Sequence, residues 1–330
     1  MTDLEFIANS NVPWECFENK SIFVTGATGL LGSAFIKGLF ARNELHNSNI
    51  HIIAHARNRD KAEQIFSGKE LSFVYGDITR KLDIDEPIDY IVHGANPTAS
   101  KEFVDFPVET IKTIYEGTLN TLELAKEKSV KGYLYLSSME VYINMDTTSV
   151  RSCYPEGKRL AESLCSCYFH EYGVNAKIAR LAQTFGVGID IKSDNRVFAQ
   201  FVRSAMEKKD IVLRTKGDTV RSYCYTTDAV TAMLWILAKG KSGDFYDVAS
   251  KIPPASIRDM AECFGKVVFD IADNAEKLGY PPAAEIILDT AKLEKLGWEP
   301  DKKIEEGGIR EMVRRVVHTA LFQCPLNCNV

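Results

Sequence analysis

The stretch SIFVTGATGLLGS, residues 21–33, constrains this chain more than any other. Five strand-forming residues lead directly into Gly26, Gly29 and Gly32, spaced G-x-x-G-x-x-G, and the run from Leu30 to Ala41 continues with helical periodicity. The first glycine allows a tight strand-to-helix turn, the second lets an anion reach the backbone, and the third lets the helix sit close to the strand. The unpaired N–H groups of the helix start and its dipole favour a phosphate. The loop is therefore expected to hold the pyrophosphate of a dinucleotide.

The rest of the chain repeats this alternation. Apolar, β-branched runs occur at 50–55, 71–75, 89–95, 133–138 and 175–181, with helical segments at 108–126 and 155–172 between them. Strands apolar on both faces indicate a parallel sheet covered by helices on each side. The fold class expected is α/β, a Rossmann-type doubly wound parallel sheet with a smaller C-terminal α/β substrate lobe. The dinucleotide-binding domain should cover residues 1–183, with 222–250 returning to it, and the substrate lobe most of 184–330. Pro253-Pro254 and Pro281-Pro282 read as breaks in that lobe.

Composition narrows the partners. With 40 basic and 45 acidic residues the net charge is −5, which argues against nucleic acid or an anionic membrane surface. No apolar run is long enough to span a bilayer and the start lacks a secretion signal, so a cytoplasmic location is expected. Eight cysteines without paired spacing or a nearby histidine read as free thiols, with no metal site.

The second strand ends HIIAHARNRDK, so Ala56 stands where a carboxylate would hold the adenosine ribose, and Arg57 follows. A guanidinium there attracts a 2′-phosphate, and the cofactor expectation is NAD or NADP with a lean to NADP. Asp77, after the third strand, either accepts from the adenine amino group or caps a turn.

Taken in order, TGATGLLG (25–32), GDI (76–78), HGA (93–95), EGT (116–118), SSMEVY (137–142), YPEGK (154–158), ARLAQTFG (179–186) and RSYCYTTD (221–228) resemble the extended short-chain dehydrogenase/reductase family. The likeness is to its nucleotide-sugar epimerases, dehydratases and decarboxylases, and is nearest to the UDP-glucuronate decarboxylase branch. It implies a tightly bound dinucleotide touching Gly26, Thr28, Gly29, Leu30, Leu31, Gly32, Arg57, Asp77, Ile78, Gly94, Ala95, Tyr154 and Lys158. It also implies a nucleotide-diphosphate sugar as substrate, met by Gln183, Asn195, Arg196 and Arg221. The helices near 108–126 and 155–172 would pair across a two-fold axis as a homodimer.

Tyr154 and Lys158 fall on one helix face, with the helix expected to start near Pro155. A phenol with a pKa near 10 must drop by about three units, roughly 4 kcal/mol, to act as a base at neutral pH. A neighbouring ammonium and the positively charged nicotinamide are expected to supply that shift. Ser138 ends the preceding strand and would hold the same sugar oxygen. The resemblance implies oxidation to a bound 4-keto sugar, with Glu140 as base or proton relay. Met139 replaces the acid of an Asp-Glu dehydratase pair, and a thioether donates no proton. The segment from Ser138 to Tyr154 is also shorter than the family's usual loop. Two rival expectations are an NADPH-dependent reductase of a 4-keto sugar nucleotide and a non-catalytic dinucleotide sensor.

Overall fold

A computed structural model describes residues 1–186, 188, 194, 196–273, 279–280 and 284–323. Asn195 and the Pro281-Pro282 break lie outside the described residues. Seven strands form the central sheet: β1 (Ser21–Thr25), β2 (His51–Ala56), β3 (Ser72–Tyr75), β4 (Tyr90–His93), β5 (Gly132–Ser138), β6 (Ala176–Leu181) and, after four short strands, β11 (Phe245–Val248). Their order is β11-β6-β5-β4-β1-β2-β3 and every pairing is parallel. The four short strands are β7 (Gln183–Phe185), β8 (Ile211–Leu213), β9 (Val220–Arg221) and β10 (Tyr223–Tyr225).

The first eight helices are α1 (Asp3–Asn9), α2 (Leu30–His46), α3 (Arg59–Ile65), α4 (Ser100–Asp105), α5 (Pro107–Glu127), α6 (Cys153–Tyr172), α7 (Val197–Met206) and α8 (Thr226–Lys239). Period-two alternation divides the sheet residues between two cores. Ile22, Val24, Ile52, Leu134 and Leu136 join the side covered by α2 and α8, and Phe23, Ile53, Ile91, Tyr133 and Tyr135 join the side covered by α5 and α6. Each fully buried Ile or Phe contributes about 1.5–3 kcal/mol of transfer free energy. The double burial is why these strands read as continuous apolar runs.

A third cluster, separate from both, gathers Phe185, Phe198, Phe201, Tyr223, Tyr225, Phe264 and Met312. Its elements are β7 paired with β10, β8 paired with 267–269, and β9 held between 255–256 and 285–286. The chain then returns to the large sheet through α8, buried without interruption from Thr226 to Leu237, and adds β11 beside β6. None of the described helices is long and apolar enough to cross a membrane.

α6 starts at Cys153 rather than at Pro155, because a 3-10 turn over Val150–Ser152 feeds straight into it. Pro155 therefore occupies the third helical position, still within the first turn, where its missing N–H costs nothing.

Candidate active site

The C-terminal ends of β1, β4 and β5 carry the candidate residues, at the edge where open parallel sheets collect ligands. Gly26 has φ +71, and a Cβ there would lie 2.7 Å from the carbonyl carbon and oxygen of Gly94. Thr25 Oγ1 accepts from the N–H groups of Gly94 at 3.1 Å and Ala95 at 3.2 Å, tying the two loops together. A Cβ on Gly32 would fall 2.2 Å from the Gly26 carbonyl oxygen, so α2 approaches the loop as closely as backbone allows. No side chain caps α2 at Gly29 and its first turn holds no acidic residue. Its leading amides, from Leu30 and Leu31 onward, remain available to an anion, with Thr28 beside them. This cradle fits the pyrophosphate of a dinucleotide.

At the adenosine end, Ala56 is buried at the tip of β2 and Arg57 is exposed. Asp77 spends Oδ1 on a turn, accepting from the N–H and hydroxyl of Thr79 at 3.0 Å each. Those two bonds are the main cause that lowers its pKa. The turn-capping role of Asp77 is thus present, and Ile78 next to it is buried against Gly117.

The reacting groups come from β5 and α6. Ser138 Oγ accepts from the Glu140 N–H at 3.2 Å, starting a 3-10 turn over Met139–Tyr142. That turn sends Met139 into the apolar core and holds Glu140 in a buried position. Tyr154 is buried with its ring stacked on Phe103, centroids 4.1 Å apart and 11° from parallel. Lys158 lies one turn further, its Nζ 5.7 Å from the Tyr154 ring centroid and donating to the Leu136 carbonyl at 2.8 Å.

The chain's own groups act on Tyr154 in the opposite sense to the shift expected with the nicotinamide. Burial raises the Tyr154 phenol well above its usual range, Glu140 adds to this, and the Ser138 hydrogen bond and Arg151 oppose it. Lys158 is itself pushed down to about 7 by burial, with Glu162 opposing. The chain alone therefore does not make Tyr154 acidic. A lysine half-neutral near pH 7 is a weak source of positive charge, and desolvation outweighs it.

Glu140 is no surface carboxylate. Arg151 Nη2 donates to its Oε1 at 3.0 Å and sits 2.9 Å from Oε2, and Arg221 Nη1 lies 3.9 Å from Oε1. Arg221 Nη1 also donates to Gln183 Oε1 at 3.3 Å. Ser138, Glu140, Arg221 and Gln183 are thus linked contact by contact, with Tyr154 hydrogen-bonded to Ser138 and Lys158 one helix turn further on. Arg196 is held by Asp194 at the start of α7, and both line a small cavity with Leu30 and Gln183. Sequence reasoning missed Arg151 and Phe103. The one available signal was a basic residue three positions ahead of Tyr154.

The chain has the sequence pattern of the NAD dependent epimerase/dehydratase family over residues 22–249. It is 29% identical over 316 residues to UDP-glucuronic acid decarboxylase 6 of Arabidopsis thaliana, covering 88% of this chain and 87% of that one. Two solved structures share the fold. One is a dTDP-glucose 4,6-dehydratase from Streptomyces venezuelae with NAD bound, TM-score 0.74, 20% identical, covering 92% of this chain and 98% of its own. The other is a UDP-glucuronic acid 4-epimerase from Bacillus cereus in complex with UDP-glucuronic acid and NAD, TM-score 0.74, 18% identical, covering 92% and 100%. With its glycine cradle under β1 and a Ser-Tyr-Lys set beside it, the chain belongs to the NAD dependent epimerase/dehydratase family.

Proposed function

We propose that the protein decarboxylates a hexuronic acid carried on a nucleoside diphosphate, by way of a transient 4-keto sugar. The observation that carries this reading is the environment of Glu140. Among the described residues it is the one carboxylate between two buried arginines, while its neighbour Met139 is turned into the core. Elimination of water needs a second proton-transfer group at that point, and a buried thioether supplies none.

NAD bound in the cradle supplies reversible two-electron oxidation of the sugar carbon. Tyr154 takes the proton of the C4 hydroxyl, and Ser138 Oγ holds the same oxygen. Lys158, anchored on the Leu136 carbonyl, orients the phenol and passes it protons. Once C4 is a ketone, the C5 carboxylate is β to it. The C5–C6 bond breaks, its electron pair moves into the C4–C5 enolate, and carbon dioxide departs. Glu140 relays a proton to C5, and Tyr154 returns one to O4 as C4 is reduced again. Gln183 and Arg196, which line a small cavity beside α7, would meet the diphosphate. The relatives named as UDP-glucuronic acid decarboxylases support the choice of sugar.

The test is to incubate the protein with NAD and UDP-glucuronic acid labelled at C6. Release of the label as carbon dioxide is expected. A product of unchanged mass with inverted C4 would replace decarboxylation by epimerisation. Stoichiometric consumption of NADPH with a 4-keto sugar nucleotide would favour the reductase, a reading supported by Ala56 and Arg57.

We also propose a homodimer through α5 and α6. These helices pack on each other within the chain, burying Ile114, Leu122, Leu124 and Tyr168, so those residues serve the subunit's own core. Val108, Tyr115, Leu160, Phe169 and Tyr172 stay exposed on the same pair of helices. Light scattering on the purified chain should give twice the subunit mass. A cytoplasmic location is consistent with the free thiols.

A further inference from the structure

Among the described residues, the two buried arginines beside Tyr154 outnumber the carboxylates that face them. Arg151 and Arg221 are 5% and 6% exposed, and among the described residues Glu140 is the carboxylate that faces both. Buried charges are expensive unless paired, and two guanidiniums against one carboxylate leave one positive charge over.

One donor of each guanidinium is unmatched. Arg151 gives Nε to the Gly279 carbonyl at 2.9 Å and Nη2 to Glu140, while Nη1 is buried without a hydrogen-bond partner among the described residues. Arg221 gives Nη1 to Gln183, and its Nε is likewise buried and unmatched. The two orphan donors therefore come from the two guanidiniums that flank the same carboxylate. Phe103 lies under both the Arg151 guanidinium, 5.5 Å from its ring centroid, and the Tyr154 ring. The unmatched positive charge thus stands next to the phenol, where the sugar reacts.

We propose that Arg151 and Arg221 form a two-guanidinium clamp for a carboxylate on the sugar carbon next to the one Tyr154 oxidises, with Arg151 the specificity-determining residue and Glu140 its fixed counter-ion. This rests on the hexuronate reading above. The Gly279 carbonyl and Glu140 hold the guanidinium plane from two sides, which leaves Nη1 as the donor for one ligand oxygen. A neutral hexose would leave both donors buried and unpaired, the situation in which a site rejects the wrong ligand most strongly.

The experiment measures binding of UDP-glucuronic acid, UDP-glucose and UDP by calorimetry to the NAD-loaded wild type and to Arg151→Met, Arg151→Lys and Glu140→Gln. Arg151→Met is expected to weaken UDP-glucuronic acid by roughly 10–100-fold, the range for a charge-assisted bond, and to leave UDP-glucose and UDP within about twofold. Arg151→Lys should recover part of the loss, since charge returns without the fork. Glu140→Gln should bind UDP-glucuronic acid at least as tightly as wild type, although turnover falls. Equal weakening of all three ligands in Arg151→Met would mean the residue only supports the fold or reads the diphosphate, and would overturn the clamp. If Arg151→Met does not fold, undiminished preference for the acid sugar in Arg151→Lys together with weaker binding in Glu140→Gln overturns it equally. The two proposals fail separately. Epimerisation of a tightly held UDP-glucuronic acid ends the decarboxylase reading and keeps the clamp. Decarboxylation that survives Arg151→Met with wild-type KM ends the clamp alone.

Discussion

Replacing Lys158 by methionine should stabilise the protein near neutral pH while abolishing turnover. The side chain is 3% exposed, and burial pushes its pKa down to about 7 from 10.5. Between those values the unfolded chain holds a proton that the native chain does not, so wild-type stability rises with pH across that window. Each tenfold change in proton affinity corresponds to about 1.4 kcal/mol, so below pH 7 the buried ammonium costs on the order of 5 kcal/mol. Methionine of similar length removes that cost and forfeits the hydrogen bond to the Leu136 carbonyl, worth about 1 kcal/mol. The variant should therefore be several kcal/mol more stable at pH 6.5. Its advantage should shrink by about 1.4 kcal/mol per pH unit above 7 and vanish before pH 10.5. Urea unfolding of both proteins, matched in dinucleotide content, from pH 6.5 to 10 measures this directly. A difference in stability that does not change with pH would refute the reasoning, as would a variant less stable throughout.

Tyr154→Phe keeps the stack on Phe103 and should shift the melting temperature by no more than a few degrees, yet lower kcat by at least about a thousandfold; steady-state kinetics and calorimetry together check it. Gly32→Ala places a methyl 2.2 Å from the Gly26 carbonyl and must push α2 away from the loop, so NAD affinity measured by fluorescence titration should drop by about a hundredfold. Asp228 is fully buried, its pKa pushed up to about 7 mainly by burial. The stability its protonation contributes is complete below about pH 4 and lost as pH rises through 7, so Asp228→Asn should flatten that part of the stability–pH curve. Removing Arg57 should cost affinity for 2′,5′-ADP and little for 5′-ADP, as read by calorimetry; equal losses would deny it a phosphate-reading role.

The parallel sheet was legible because both faces of each strand are covered, which turns burial into unbroken apolar runs such as Ile22 to Val24. The glycine loop was legible for a different reason, since Gly26 and Gly32 sit where no Cβ fits and no other residue can replace them. Ser138, Tyr154 and Lys158 follow from one strand end and one helix turn, both local. Arg151 was not legible, because its burial depends on a carbonyl at Gly279, 128 residues away. Phe103 was hidden in the same way. The contribution of burial at Tyr154 also escaped sequence reasoning. Charge neighbours can be read from spacing, but desolvation is a property of the packed whole, and here it is the larger effect. The helix start moved from Pro155 to Cys153 because a 3-10 turn extends it upstream.

The late return of the chain to the large sheet has a consequence for how the molecule can be divided. α8 and β11 lie beyond the aromatic third core in sequence, yet α8 roofs one face of the sheet and β11 closes its edge against β6. A fragment ending near residue 183 would bare the floor beneath Met233, Leu234 and Ile236 and leave β6 as an open edge prone to self-association. The dinucleotide-binding part is therefore expected to need the chain through β11 to fold. A chimera that cuts between the two parts near residue 183 would lose that cover, whereas one that exchanges loops would keep it.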